Sequence, residues 1–287
     1  MSTAILEAEA PPAVTVAPTA PARHTRGHGL TRSVGRLVRR SAAVVLFLLL
    51  WEFGTQYLLD PARKVFLPPL HEVLRAWWGL AESGQLQQHV AASLTRSAVG
   101  FSLAVVSGIA LGLVVAWYDG LREFLTPLLE AFRNTAALAL LPVFVLLLGI
   151  GETSKISIVA YASFFPVLLN TIAGVRTVDP LLVRAARSLG LGSLALFQKV
   201  VLPSAVPTIF TGVRMAGTSS ILVLIAAEMV GAKAGLGYLI VNAQSSFQIP
   251  DMYAGILTVS VFGLLVNTVL VRLEQHFSRW RVAAAAR

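Results

Sequence analysis

R-A-A-R-S-L-G-L-G-S-L-A-L-F-Q-K-V-V-L-P, Arg184 to Pro203, is a basic, polar insert between two long apolar runs. Its spacing is that of two short helices joined by a glycine turn. Asp179-Pro180 just ahead supplies a start, because an aspartate can cap the first free N–H groups and proline suits the first turn. Leu182, Ala185, Ala186 and Leu189 fall on one face at helical spacing. Ala185 and Ala186 have no bulk, so another surface can approach there. Gly190 and Gly192 end the first helix, since glycine accepts the left-handed cap. Ser193 is placed to cap the second helix, Leu196, Phe197, Val200 and Val201 to pack it back, and Leu202-Pro203 to stop it. The insert is too amphipathic to span a bilayer and too ordered for a plain linker. It reads either as a docking element for another protein or as an ordinary interfacial or re-entrant loop.

The composition around it is that of a membrane protein. Of 287 residues, 56% are hydrophobic and only 13% charged, and the mean hydropathy is +0.74. Soluble domains carry about 25% charged residues. The formal charge of +9 does not mark a nucleic-acid binder, because the charges flank apolar runs and form no patch on a soluble domain. Cysteine is absent, which excludes disulfides and thiolate metal sites. No P-loop, HExxH or GxSxG occurs, so nothing in the chain is equipped to hydrolyse ATP or a peptide.

Residues 1–41, rich in Ala, Pro and Arg, read as a disordered basic cytoplasmic tail. The first apolar run, 42–59, follows Arg39-Arg40. That pair resembles a twin-arginine export signal, but it also serves as a positive inner flank, and no small-x-small cleavage site follows. The run is expected to stay as an anchor. Five more spans are expected near 97–117, 126–149, 155–175, 207–230 and 253–272, each close to the roughly 20 residues a bilayer requires. Residues 42–275 thus form one all-α integral membrane domain of about six spans, and 276–287 a short cytoplasmic tail. With the N-terminus inside, only Arg63, Lys64, Arg75, Arg96, Lys155 and Lys233 of the 23 Lys and Arg residues fall outside. That bias places both termini, and the insert, in the cytoplasm. Leu70 to Arg96 is expected outside as an amphipathic helix lying in the interface, with Leu74, Trp77 and Trp78 on its apolar side.

Here a resemblance becomes specific. Ala185-Ala186, Gly190, Val200 and Leu202-Pro203 stand in the register of the E-A-A-x3-G-x9-I-x-L-P pattern of bacterial ABC importer permeases, with Arg184 in place of the Glu. Phe66-Leu67-Pro68-Pro69, Ser93-Leu94-Thr95-Arg96 with Gly100-Phe101, and Leu141-Pro142 with Gly149-Ile150-Gly151 resemble the nitrate/sulfonate/taurine branch. So do Phe164-Phe165-Pro166 with Asn170-Thr171, and Ala227-Glu228-Met229 with Gly235-Leu236-Gly237-Tyr238. Asn134-Thr135-Ala136-Ala137 departs from the branch, which usually has prolines there. The resemblance covers about residues 66–272. It implies a homodimeric permease of the bacterial inner membrane that moves a small anion, such as an aliphatic sulfonate, taurine or nitrate, by alternating access. It also implies a cytoplasmic ABC ATPase carrying ATP and Mg, an external substrate-binding protein, and no cofactor on this chain. Arg184, Ala185, Ala186, Leu189, Gly190, Leu202 and Pro203 would form the coupling element between spans four and five. A self-sufficient secondary carrier and a non-transporting scaffold or sensor are the rival readings. The carrier would need inverted repeats and coupling acids near mid-span, and no repeat is visible.

Other residues are candidates on their own chemistry. Gly100, Ala104, Gly108 and Gly112 recur every four residues, which suits close helix packing, or, less simply, a substrate path. Gly212, Ala216 and Ser220 make a second such stripe. Glu228 is a carboxylate inside an apolar run, which costs about 2.5–3.5 kcal/mol on insertion scales. It should face the bundle interior or the outer mouth, or make a structural bond near the helix end with Lys233. Asn170, Ser219, Ser220, Glu228 and Asn267 together are the candidate substrate path.

Overall fold

The computed structural model describes residues 42–58, 60 and 64–277. The tail expected at 1–41 and nearly all of that expected at 276–287 lie outside the described residues. Among the described residues every regular element is helical. The first is α1 (Ala42–Tyr57). Its residues up to Leu50 belong to one compact unit, and Trp51 onward forms another. The second unit continues through α2 (Leu70–Glu82), α3 (Gln85–Trp117), α4 (Asp119–Asn134), a 3-10 turn (Ala137–Leu140) and α5 (Leu141–Leu148). Then come α6 (Glu152–Arg176), α7 (Pro180–Ser188), α8 (Ser193–Leu196), a π turn (Phe197–Val201), α9 (Leu202–Glu228), α10 (Leu236–Ser245) and α11 (Ile249–Phe277).

Four stretches are long and apolar enough to cross a membrane: α3, α6, α8 to α9 taken as one helix, and α11. A fifth is the pair formed by α4 and the stretch Ala137–Leu148, bent by 87°. The break falls at Thr135-Ala136, where both residues are extended, so the run expected at 126–149 is not one straight rod. α1 has the right composition but is shorter than the others.

The core is built on close helix approach. α6 lies between α3 and α9. On one side it meets the small-residue stripe of α3. A Cβ added at Gly100 would sit 2.8 Å from the Ile156 carbonyl oxygen, and one at Gly112 would sit 2.7 Å from Thr171 Cβ. Gly108 faces Val167 in the same way, and Ala104 is buried. On the other side Gly212 of α9 lies against Pro166 and Asn170. Val167, Ala205, Ile209, Val213, Ala216 and Leu270 close the apolar centre. With no water to exclude between helices, backbone proximity and dispersion hold such a bundle. Gly112→Val is therefore expected to cost about 1–3 kcal/mol by overpacking, read as an earlier thermal transition of the purified protein. An unchanged transition would mean that α3 and α6 separate freely.

Two expectations are corrected here. Leu70 to Arg96 is not one interfacial helix. α2 ends at Glu82, Gly84 turns the chain at φ 78°, and Gln85 already starts the 33-residue α3. At about 1.5 Å per residue α3 is about 50 Å long, so its polar first turns project past the apolar layer and turn His89 and Arg96 inward. Within α2, Val73 and Leu80 are buried, Trp77 donates to Thr258 Oγ1 of α11 at 3.1 Å, and Trp78 faces outward. The second correction concerns Pro203, which does not stop a helix. It lies in the first turn of α9, directly after the π turn. A proline cannot donate to the carbonyl four residues back, and a wider turn accommodates the missing bond.

Candidate functional site

α7 sits between the end of α6 and the start of α8, at one end of the bundle. Its limits are locally encoded. Asp179 Oδ1 accepts from the Leu181 N–H at 2.8 Å, and Pro180 opens the first turn. At the other end Gly190 has φ 80°. It donates to the Arg187 carbonyl at 2.9 Å, and Leu191 N–H reaches the Ala186 carbonyl at 3.2 Å. Gly192, not Ser193, holds the cap position of α8, and no side chain bonds there. The expected cap at Ser193 is wrong because the serine is already the first helical residue.

The two alanines part company. Ala186 is buried against Leu196 and Val201 and ties α7 to the α8 and π-turn segment. Ala185 faces outward. Leu181, Leu182, Leu189 and Leu194 are also exposed, Leu189 by 80%. Arg184 and Arg187 flank this apolar surface, and Arg184 bends back weakly, Nε to the Pro180 carbonyl at 3.4 Å. Leu202 and Pro203 lie behind it at the start of α9.

A second constellation occupies the opposite end of the same helices. Arg96 of α3, Glu152 at the start of α6 and Glu228 at the end of α9 meet there. Arg96 binds Glu152 through two bonds, Nε to Oε2 at 2.5 Å and Nη2 to Oε1 at 2.7 Å. Its Nη1 donates to Glu228 Oε1 and to the Ala234 carbonyl, both at 2.7 Å. Ser93 donates to the Glu228 carboxylate at 2.8–2.9 Å and accepts from Leu236 N–H at 2.9 Å. Gly237 N–H donates to Glu228 Oε2 at 3.0 Å, and Gly235 N–H to His89 Nδ1 at 3.2 Å. Gly235 has φ 124°, and a Cβ there would strike the Glu228 carboxylate. Arg96 and Glu228 are almost wholly buried, whereas the Glu152 side chain is 64% exposed. The arrangement fastens the 229–237 loop onto three spanning helices, with each buried charge paired and hydrogen-bonded.

Lys233 is not the partner of Glu228. It is exposed, and the cation bonded to Glu228 is Arg96, which lies 132 positions away. The Glu52 carboxylate accepts from His71 N–H at 3.2 Å and contacts His71 Nδ1 at 2.7 Å, next to the N-terminus of α2, where negative charge is favoured.

The five path candidates are dispersed. Asn170 and Ser219 line one cavity of about 460 Å³ between the end of α4, α6 and α9. Asn267 lines another, of about 520 Å³, between α9 and α11. Ser220 is buried with its hydroxyl on the Gly217 carbonyl at 2.8 Å, and Glu228 belongs to the ionic cluster. The first cavity also holds Arg133. Its position inside the apolar run 126–149 is the signal in the sequence that could have found it. Among the described residues no group of three or more His, Cys, Asp or Glu could hold a metal.

Residues 108–282 match the family described as binding-protein-dependent transport system inner membrane component. The chain belongs to that family. This permease subunit is 34% identical over 256 residues to the taurine transport system permease protein TauC of Escherichia coli (strain K12), covering 88% of this chain and 90% of that protein. It is 38% identical over 217 residues to SsuC of the same organism, a protein named for aliphatic sulfonates transport, covering 76% and 82%. The fold also matches a chain of the MetNI methionine ABC transporter in an inward-facing conformation. The TM-score is 0.57 at 15% identity, covering 76% of this permease and 99% of that chain. Four of the segments that carry the family resemblance, Ser93–Arg96, Gly149–Gly151, Ala227–Met229 and Gly235–Tyr238, meet at or beside the Arg96 cluster. The protein is thus a multi-pass permease subunit of an ABC importer, related to taurine and sulfonate permeases, and its family implies an ATPase and a binding protein as partners.

Proposed function

We propose that this subunit carries a small anion, such as an aliphatic sulfonate, taurine or nitrate, into the cell by alternating access driven by ATP on a separate ATPase. The subunit works as a homodimer of six-span chains with both termini in the cytoplasm. ATP and Mg reside on the ATPase, and an external binding protein delivers the substrate. The observation that carries this reading is the surface of α7. It is apolar and unpartnered at Leu181, Leu182 and Leu189, flanked by arginines, and fixed by its own caps between two spanning helices. A groove on the ATPase would cover it, and closure of the ATPase pair would move α6 and α9 together through Ala186. The bias is that of a two-state switch whose ligand binds one state better.

The test is uptake into vesicles holding the permease and its ATPase, with loaded binding protein outside. Taurine, ethanesulfonate or nitrate should accumulate only with ATP inside. Accumulation driven by an ion gradient without ATP would make the subunit a secondary carrier. Arg184 refines the reading, since it stands where the family pattern has Glu. If its free guanidinium nitrogens meet an acid on the ATPase, the contact is worth about 1.5–3 kcal/mol. Arg184→Glu should then lower substrate-stimulated ATP hydrolysis about tenfold or more, and an acid-to-base change on the ATPase should restore it. Unchanged stimulation would leave Arg184 as a topology charge alone.

A further inference from the structure

The cavity beside the broken span has an unusual polar content for its position. It opens along Tyr161 to Asn170, the middle of α6, and along Met215 to Ser219, the middle of α9. Arg133 lies at that level, because the neighbouring Phe132 carbonyl accepts from Tyr161 Oη at 3.2 Å. Among the described residues Arg133 has no hydrogen bond and no ion pair, and the Ser219 hydroxyl has none either. Asn170 spends one amide hydrogen on the Pro166 carbonyl at 2.8 Å, which leaves the second hydrogen for another acceptor. Phe132 and Phe165 stack at 6.2 Å on the wall. A cation at mid-depth without a partner is costly in a membrane protein, and such residues mark ion or substrate routes. Here three donors converge on a space of about 460 Å³ with no carboxylate on its lining.

We infer that Arg133, Asn170 and Ser219 form an anion-binding station on the translocation route, which takes a small oxoanion such as an alkyl sulfonate and passes it between the two faces. This rests on the anion-importer reading and adds the place where the anion is held. The guanidinium fork matches two oxygens of a sulfonate, the amide and the hydroxyl supply the remaining donors, and the aromatic wall suits a short alkyl tail. Discrimination against a neutral analogue follows from the charge, and discrimination against a cation follows more strongly.

The chain has no cysteine, so Ser219→Cys gives a single reactive thiol in the cavity. The experiment follows modification of that thiol in the full-length permease, purified with its ATPase, by mass spectrometry. Two thiosulfonates are compared: the anionic 2-sulfonatoethyl methanethiosulfonate and the neutral methyl methanethiosulfonate. At roughly 6 Å, with an effective dielectric of about 40 in an open and partly hydrated cavity, a unit charge changes local occupancy by roughly tenfold. The anionic reagent should therefore react about tenfold faster with Ser219→Cys than with the Arg133→Gln/Ser219→Cys double variant. Arg133→Lys should keep much of the advantage, and the neutral reagent should react alike in all three. Ethanesulfonate should slow both reagents where Arg133 is present. Equal anionic rates with and without Arg133 would overturn the station, and so would a thiol that neither reagent reaches. An intact charge advantage in a protein that fails to take up anions would uphold the station and count against the importer reading.

Discussion

Arg96→Leu is expected to destabilise the folded protein by about 3–5 kcal/mol, the cost of leaving a buried charge without its partner. The side chain is 5% exposed and holds two carboxylates and a backbone carbonyl at once. Its loss strands Glu228, whose side chain is fully buried, with Ser93 and Gly237 N–H as the remaining donors. Glu152 suffers less, because most of its side chain is exposed. The visible effect should be a collapse of monodisperse protein in detergent, or a thermal transition lowered by many degrees. Removing the second charge as well, in Arg96→Leu/Glu228→Met, should recover part of the loss, since a missing ion pair is cheaper than half of one. A single variant as stable as the starting protein would mean that the cluster is not a structural fastening. Recovery only partway is the expected pattern, because the Ala234 carbonyl and Gly237 N–H still lose their partners.

Ala186→Trp and Ala185→Trp should both abolish ATPase-coupled uptake, for different reasons. Ala186 is buried within its own chain against Leu196 and Val201, so an indole there costs at least about 1–3 kcal/mol of overpacking and loosens α7 from the π turn. Ala185 faces outward, so its indole leaves the fold intact and blocks the approach of a partner. Limited proteolysis separates the two: the 179–203 segment should become cleavable in Ala186→Trp and stay protected in Ala185→Trp. Ala185→Ser should be silent. Gly190→Val adds a third arm, since φ 80° costs a residue with a Cβ about 1–2 kcal/mol, and more for a β-branched one. Normal ATPase co-purification and uptake in Ala185→Trp would remove the outer face of α7 from any docking role.

The start and end of α7 were legible in the sequence because they depend on neighbours in the chain: Asp179 caps two residues on, and Gly190 needs no distant contact. The small-residue stripe was legible for a similar reason, as helical spacing alone puts Gly100, Ala104, Gly108 and Gly112 on one line. Their contact with α6 needed the structure. The Arg96–Glu228 pair was hidden, since nothing local links residues 132 positions apart, and Lys233 was the nearer cation. The interior of Leu70 to Arg96 was misread because Gly84 turns the chain there and three of its polar residues, His89, Ser93 and Arg96, point into a buried cluster. Pro203 was misread as a stop because a π turn can absorb a proline at a helix start. The Ala185 and Ala186 pair could not be divided from sequence, as both fit the same face until Leu196 and Val201 fold against one of them. Beyond its place in an apolar run, nothing local in the sequence marks Arg133 as part of a site, because the break in its span, at Thr135-Ala136, carries no proline or glycine.

We expect the exposed face of α7 to be the seat of the ATPase. The most direct measurement uses the absence of native cysteine: Leu189→Cys, at the most exposed apolar position of that face, is treated in membranes with a short thiol-to-amine crosslinker. A covalent adduct with the ATPase subunit is expected, while Leu146→Cys, equally exposed on α5, should give none. Absence of the adduct at Leu189 in an assembled, ATP-hydrolysing complex, or an equal yield at Leu146, would contradict the claim.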